Sequence, residues 1–441
     1  MLVQLYRKLN KNPAVRFAGE SFLKVEDHFG TKKALKKLKA IHEKEHDTSK
    51  KIHIGFLVQD PNIWNKNRAL YDAVLEAGMD ISIICVPDPF DENTGSTYEW
   101  FCKEGYDCLD GRVGDGPWNV MNNQGGYLDL QTLELDYLFY GQPYDAYLPL
   151  NFQTKTTVNF TKLCISTYGI PTTMNLLKET RPRRFYRNIY FSFAQVEEER
   201  KYGLEQFGKG QAEGFQRVEN YGPVVMDDFV KSKNVKTGAW DGLHNNVKGM
   251  WTPRWTLDEK IGGSNFFRYK DFLFQYAKEH GDVDLLFRPH PMALDNFLKV
   301  GKMTKEEVEQ FRNQCRDMEN VALDTDRSYG YTFWNSGFLV TDLSSIIVEY
   351  FVTGKPIIFC KTEHDQQEYL DFFKRILDIS YVVNNQQELY EALEMMRKGE
   401  DPKKEERLQL INELFGPDIG HVAKRIIKEI EKDFYIKGGL Q

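Results

Sequence analysis

The sequence predicts an α/β protein with a GT-B-like plan: two doubly wound parallel-sheet domains facing a cleft, preceded by a basic helical segment. Three observations predict it. From Lys51 onward, apolar strand-like runs alternate with helix-like runs. That rhythm breaks once, over Asn220–Gly242, where glycines, Pro223 and polar residues interrupt the periodicity. The residues before Lys51 carry a different, lysine-rich pattern. Alternating βα units imply right-handed crossovers and mostly parallel sheets with helices on both faces.

The elements follow in order. In the first segment, 1–51, "TKKALKKLKAIHEKEH" sets Ala34, Leu35, Leu38 and Ile41 along one helical stripe, and Arg7, Lys8, Lys11, Arg16 and Lys24 add charge upstream. Two readings stand: a solvated helix packed by its apolar edge, or a segment drawn to an anionic bilayer surface. An acceptor-side domain is expected over 52–225. "IHIGFLV" reads as a strand, "NIWNKNRALYDAVLEAG" as a helix closed by Gly78, and "MDISIICVP" as the next strand. "YDAYLPL" and "KLCISTYG" continue the pattern, with a helix around Phe191–Tyr202. Residues 226–246 read as a linker.

A second α/β domain is expected over 247–420. "VKGMWTPRW" opens it as a strand, "FFRYKDFLFQYAKEHG" is a helix, and "VDLLFRPHP" is a strand running into a loop. "KEEVEQFRNQCRDM" is helical and "VALDT" is a short strand. "VTDLSSIIVEYFVTGKPIIF" supplies strand, turn, helix, turn and strand. A C-terminal helix, 421–441, closes the chain.

Composition narrows the function. The 441 residues are 41% hydrophobic and 28% charged, a globular profile, and the formal net charge of −7 gives no case for a nucleic-acid partner. The six cysteines are scattered without metal-ligand spacing, which fits a reducing cytoplasm. No signal-peptide core and no run of about 20 apolar residues is present, so a cytoplasmic or peripheral membrane location is expected.

Three motifs fall where doubly wound sheets bind ligands, beyond the carboxyl ends of strands and at helix N-termini. In "TDLSS", Thr341, Asp342, Ser344 and Ser345 stand where a strand hands over to a helix. One of them, Asp342 or Ser344, suffices as an N-cap; so many polar groups together suit phosphate oxygens. "RPHP" places His290 after an apolar strand, between two prolines. A histidine there can donate to a phosphate or protonate a leaving group. "MWTPRWT" offers Arg254, whose fork can hold a pyrophosphate, while Trp251 and Trp255 read as packing residues. Neither G-x-G-x-x-G before a helix nor the P-loop pattern occurs.

"TPRWT", "RPHP" and "TDLSSIIVEYFVTGKPIIF", in that order, resemble the CDP-glycerol glycerophosphotransferase family of teichoic acid and capsule biosynthesis, over roughly Asn220 to Ile427. The resemblance implies a GT-B fold and a nucleotide-activated donor, CDP-glycerol or a related CDP-polyol. It implies that Arg254, His290, Ser344 and Ser345 hold the pyrophosphate beside Thr341 and Asp342, with His290 helping the nucleotide leave. Glu349, one turn along, is where a donor would meet a carboxylate. The acceptor would be a glycan or lipid-linked polymer, and no metal or further cofactor is implied. The first half departs from the family, whose members carry a His-Gly-Thr-Pro-like motif with a proposed base. The aligned "STYGIPTT" has Tyr168 in place of that histidine, and a phenol of pKa about 10 is a poor base at neutral pH. Either Tyr168 only positions the acceptor or Asp145 takes the proton. A GT-B glycosyltransferase using a nucleotide sugar, CMP-sialic acid included, and a degenerate nucleotide- or glycan-binding subunit remain as alternatives.

Overall fold

The computed structural model describes residues 13–166, 169–258, 262–326, 329–363, 365–416 and 418–435, with backbone only for 13–25. It divides into two compact units. One comprises residues 1–168, 178–224 and 423–441; the other comprises 169–177 and 225–422.

The first unit is built on a seven-stranded parallel sheet of order β3-β2-β1-β6-β7-β8-β9. Its strands are β1 (His53–Val58), β2 (Asp80–Cys85), β3 (Cys108–Asp110), β6 (Tyr137–Tyr140), β7 (Lys162–Ile165), β8 (Phe191–Ala194) and β9 (Arg217–Asn220). A small antiparallel pair, β4 (Arg112–Val113) and β5 (Gly126–Tyr127), lies between β3 and β6 in sequence. The central strands β6, β7 and β8 are buried at every residue. Covered on both faces, they are mostly apolar, with Lys162 and Ser192 as buried exceptions.

Two expectations change here, and one open choice narrows. "YDAYLPL" is not a strand; it forms short 3₁₀ turns at Asp145–Tyr147 and Leu150–Phe152. Pro143 precedes it and Pro149 lies within it, and proline cannot donate to a sheet ladder. The strand is instead Tyr137–Tyr140, in the preceding "DYLFY". The helix placed around Phe191–Tyr202 divides into β8 and a helix over Glu197–Ala212, which starts on three glutamates that suit the positive end of a helix. And the apolar stripe of the first segment is not free for a bilayer. In the helix Pro13–Glu43, Ala34, Leu38 and Ile41 are buried and Leu35 is half-buried. The stripe faces the body of this unit; Lys32, Lys33, Lys36 and Lys39 stay exposed beside it, and Phe29 is exposed one turn upstream.

The second unit holds six parallel strands in the order β12-β11-β10-β13-β14-β15. They are β10 (Val247–Thr252), β11 (Val283–Phe287), β12 (Val321–Leu323), β13 (Phe338–Thr341), β14 (Ile357–Cys360) and β15 (Tyr381–Val383). Its core packs Trp251, Phe266, Phe274, Phe287 and Phe311 with the aliphatic residues of β13 and β14. The stretch after Asn220, read as a linker, is folded as well. It holds a helix at Val225–Lys231, and Phe229 stacks on Trp334 with ring centroids 5.4 Å apart. The last helix, Val422–Tyr435, returns to the first unit from Ala423 onward.

Candidate active site

The second sheet is wound outward in two directions from β10 and β13, its central pair. In such sheets the crevice beyond the carboxyl ends of those two strands is the ligand position. β10 ends at Thr252 and β13 at Thr341, and these two residues are register partners. Their hydroxyls tie the strand ends together: Thr252 Oγ1 donates to Thr341 Oγ1 at 2.8 Å, and Thr341 Oγ1 donates to the Thr252 carbonyl at 3.1 Å.

The residue after each strand end extends the link. Asp342, with no exposed surface, accepts from the backbone N–H of Arg254 at 2.9 Å and of Asn265 at 3.1 Å. Asn265 Nδ2 at 2.9 Å and Ser264 Oγ at 3.3 Å complete its shell. Burial pushes the Asp342 carboxyl up, against the hydrogen bonds donated to it. Thr341 and Asp342, expected as donor contacts, therefore direct their polar atoms into the protein and fix the loops on either side.

Ser344 and Ser345 are different. Both are half-buried, at the start of the helix Ile346–Phe351. The Ile346 N–H donates to Ser344 Oγ at a long 3.4 Å, and Ser345, the N-cap residue, makes no side-chain capping bond. Arg254 leans on the same turn, with Nη1 donating to the Leu343 carbonyl at 2.6 Å. Its Nε is buried without a hydrogen-bond partner among the described residues. Burial holds this guanidinium below its usual pKa, opposed by Asp342. Gly262, at φ 106°, lets the chain pass where a Cβ would sit 2.8 Å from Leu343 and 3.3 Å from Arg254 Nη1.

"RPHP" leaves β11 beside this turn, and the Arg288 N–H donates to the Trp251 carbonyl at 2.8 Å. Arg288 itself turns away to pair with Asp324 at 2.5 Å. His290 is exposed as a residue, with its ring 6.1 Å from that of Trp255. The Met292 N–H donates to His290 Nδ1 at 3.2 Å, so in the neutral ring the proton sits on Nε2. Partial burial of the ring, then the Arg254 charge, lowers the His290 pKa. The result is a neutral imidazole that presents one N–H donor. Glu349 is buried and accepts from the Tyr329 hydroxyl, whose ring lies under the Arg288 guanidinium at 5.4 Å.

In the first unit, Asp145 accepts from the Thr154 N–H at 2.7 Å and from its hydroxyl at 2.6 Å. It thereby anchors the start of the short helix Thr154–Thr157. Burial raises its pKa, opposed by Thr154. Tyr168 lies outside the described residues. Sequence reasoning missed Asn265, which joins Asp342 to the Cys360 carbonyl at 2.9 Å and so couples β13 to β14. Its signal was a helix-start asparagine ahead of "FFRYKDF". Among the described residues, no group of three or more His, Cys, Asp or Glu side chains could hold a metal ion.

Residues 250–432, which contain all three motifs, match the model of the family described as CDP-glycerol:poly(glycerophosphate) glycerophosphotransferase. That segment is similar to the glycerophosphotransferase family. The match supports a transferase of the glycerophosphotransferase kind. No curated protein matches it in sequence. Among solved structures it is similar to the wall teichoic acid polymerase TagF, at 15% identity and a TM-score of 0.53, covering 93% of this chain and 98% of that one. A TagF structure soaked with CDPG gives 15% identity and 0.52, with 98% of each chain covered. The UDP-GlcNAc 2-epimerase from Neisseria meningitidis, bound to UDP-GlcNAc, gives 13% and 0.57, covering 87% of this chain and all, 100%, of its own. At these identities the likeness is one of fold: two doubly wound units of GT-B type. The glycerophosphotransferase match itself runs from the second half of β10 through β15 and most of the closing helix.

Proposed function

We propose that the second unit binds CDP-glycerol or a related CDP-polyol and that the enzyme transfers its polyol phosphate to a glycan or lipid-linked acceptor. One observation carries this reading. Arg254, His290, Ser344 and Ser345 stand on three loops at the switch point of the sheet, inside the segment that matches the family. The serine hydroxyls and the first N–H groups of the helix Ile346–Phe351 suit pyrophosphate oxygens, and Arg254 adds positive charge. In the reaction, an acceptor hydroxyl oxygen bonds to the polyol-bearing phosphorus. The bond from that phosphorus to the bridging oxygen breaks, and CMP departs. The Nε2–H of His290 stabilises charge on the departing phosphate, and the acceptor's proton passes to a base on the acceptor side. Tyr168 and Asp145 remain the candidates there. Asp145 already receives two hydrogen bonds from Thr154, which favours an anchoring role for it.

The test is product analysis with purified chain, CDP-glycerol and a poly(polyol phosphate) acceptor. Acceptor-dependent release of CMP is expected, with growth of the acceptor. Release of a nucleoside diphosphate from a nucleotide sugar would replace this reading with a glycosyltransferase. Tight nucleotide binding without turnover of any donor would make the chain a binding subunit.

A further inference from the structure

Six cysteines scattered through the sequence gave no pattern, yet the fold gathers three of them, two within reach of solvent. Cys102 lies in the last turn of the helix Ser96–Lys103, and Cys108 is the first residue of β3. Only five residues separate them, and their sulfurs are 3.7 Å apart with both thiols free. Cys102 is exposed and Cys108 is half-buried, so a small oxidant can reach the first while the second waits behind it. Tyr98, one turn earlier on the helix, hydrogen-bonds the Cys102 sulfur. Cys85, at the end of the neighbouring strand β2, is fully buried beside Cys108 and out of reach of solvent.

We propose that Cys102 and Cys108 are a reversible dithiol–disulfide modification site, oxidised by hydroperoxides. The Cys102 thiolate attacks the terminal oxygen of the hydroperoxide; the O–O bond breaks, an alcohol or water leaves, and Cys102 becomes a sulfenic acid. The Cys108 sulfur then attacks the Cys102 sulfur, the S–O bond breaks, and the hydroxyl leaves as water. In sum, two thiols and one hydroperoxide give one disulfide, one water and one alcohol or second water, the sulfurs supplying both electrons. A dithiol reductant reverses the step by thiol–disulfide exchange. Burial and the Cys102 sulfur push the Cys108 thiol up to about 11, opposed by Cys85, which makes it the slower, resolving partner.

The bridge would bear on a particular place. Thr97, in the first turn of the same helix, donates its hydroxyl to the Gln59 carbonyl at 2.8 Å. Gln59 lines a small pocket, with room for about one water, together with Asp60, Asn67 and Gln142 at the switch point between β1 and β6. Oxidation would staple the far end of that helix to the edge of the sheet and stiffen one wall support of the cavity.

The experiment uses the full chain, fully reduced and then exposed to hydrogen peroxide. Thiol titration under denaturing conditions should fall from the six thiols of the sequence to four, with a fragment joining Cys102 to Cys108 in the peptide map and full recovery after dithiothreitol. In Cys102→Ser, an exposed and tolerant position, oxidant should leave all remaining thiols titratable. Bridge formation through Cys85, a dimer linked through Cys102, over-oxidation of Cys102 with Cys108 still free, or unchanged titration would each overturn the proposal.

Discussion

The backbone N–H of Arg254 donates to the buried carboxylate of Asp342, and the Arg254 guanidinium returns to the Leu343 carbonyl. The two motifs that sequence reading treated as parallel phosphate contacts are thus parts of one scaffold. Asp342 fixes the loops, while Ser344 and Ser345 keep hydroxyls available on its rim. Replacing Asp342 with alanine leaves buried donors on Arg254, Asn265 and Ser264 without their acceptor. Each such loss costs roughly 1–3 kcal/mol. Asp342→Ala should therefore unfold at markedly lower urea concentration, by about 3 kcal/mol or more in total, measured on the protein without nucleotide. An unchanged midpoint would mean that water replaces the carboxylate.

Ser344→Ala with Ser345→Ala should behave in the opposite way. The unliganded double variant should melt like the wild type, because neither hydroxyl makes a strong bond among the described residues. In the wild type, CDP-glycerol at about 100 times its dissociation constant should add roughly 2.7 kcal/mol of stability. Most of that gain should vanish in the double variant. An undiminished thermal shift would move the phosphate site elsewhere.

His290→Ala should lower turnover by about 10²–10⁴, the range for a positioned donor of a proton or hydrogen bond. The melting temperature should hardly move, since the residue is exposed. Single-turnover rates with CDP-glycerol decide the matter. Normal rates in an early-melting variant would make His290 a structural residue.

His42 provides a pH test in the first unit. Its Nδ1 lies 2.6 Å from the Tyr190 hydroxyl, and its ring meets Phe215. Burial first, then Lys162 and Arg217, lower its pKa, while Asp433 and Glu43 oppose them. A lowered histidine pKa means that the unfolded chain binds the proton more readily than the folded one. The stability it contributes is present above the unfolded value of about 6.5 and is lost as pH falls through it toward the folded value. The urea midpoint should thus drop between about pH 7.5 and about pH 5.5, and His42→Gln should show a shallower drop. Equal slopes in both proteins would exclude His42 as the source.

Asp145→Ala should cost about 1 kcal/mol, as loss of a helix anchor does, and Asp145→Asn less. If Asp145 were the base, both variants would abolish turnover while leaving stability almost unchanged. Denaturation midpoints and rates, measured on the same preparations, separate the two roles.

The sequence showed the second unit far better than the first. There, βα alternation is regular, each strand is bounded by Gly, Pro or a polar turn, and the three motifs mark strand ends directly. Which groups in the motifs face a ligand was not legible. Thr341 and Asp342 look as available as Ser344 in one dimension, and only the packing of Asn265 and Arg254 turns Asp342 inward. In the first unit, β6 and β8 are short, four residues each, and buried at every position. Without alternation or turn signals, Phe191–Ala194 merged with the helix after it. The Cys102–Cys108 approach depends on how a helix end meets an edge strand, and no spacing rule announces that.

The last helix carries a consequence for the order in which the protein is made. Asp433 reaches back to Lys162 at 2.5 Å, to Tyr137 at 2.7 Å and to Tyr190 at 2.8 Å, deep in the first unit. Those partners precede it by more than 240 positions, whereas the second unit is almost one continuous stretch. A ribosome emits the chain from its N-terminus, so the first sheet emerges early with the polar groups of Lys162, Tyr137 and Tyr190 uncovered. It must wait while the second unit is synthesised and folds, and only the arrival of Val422–Tyr435 seals it. Contacts so far apart in sequence form slowly. During translation, chaperone demand should fall on the first half of the chain, and a release of nascent chain short of Asp433 should leave the first unit open beside a finished second one.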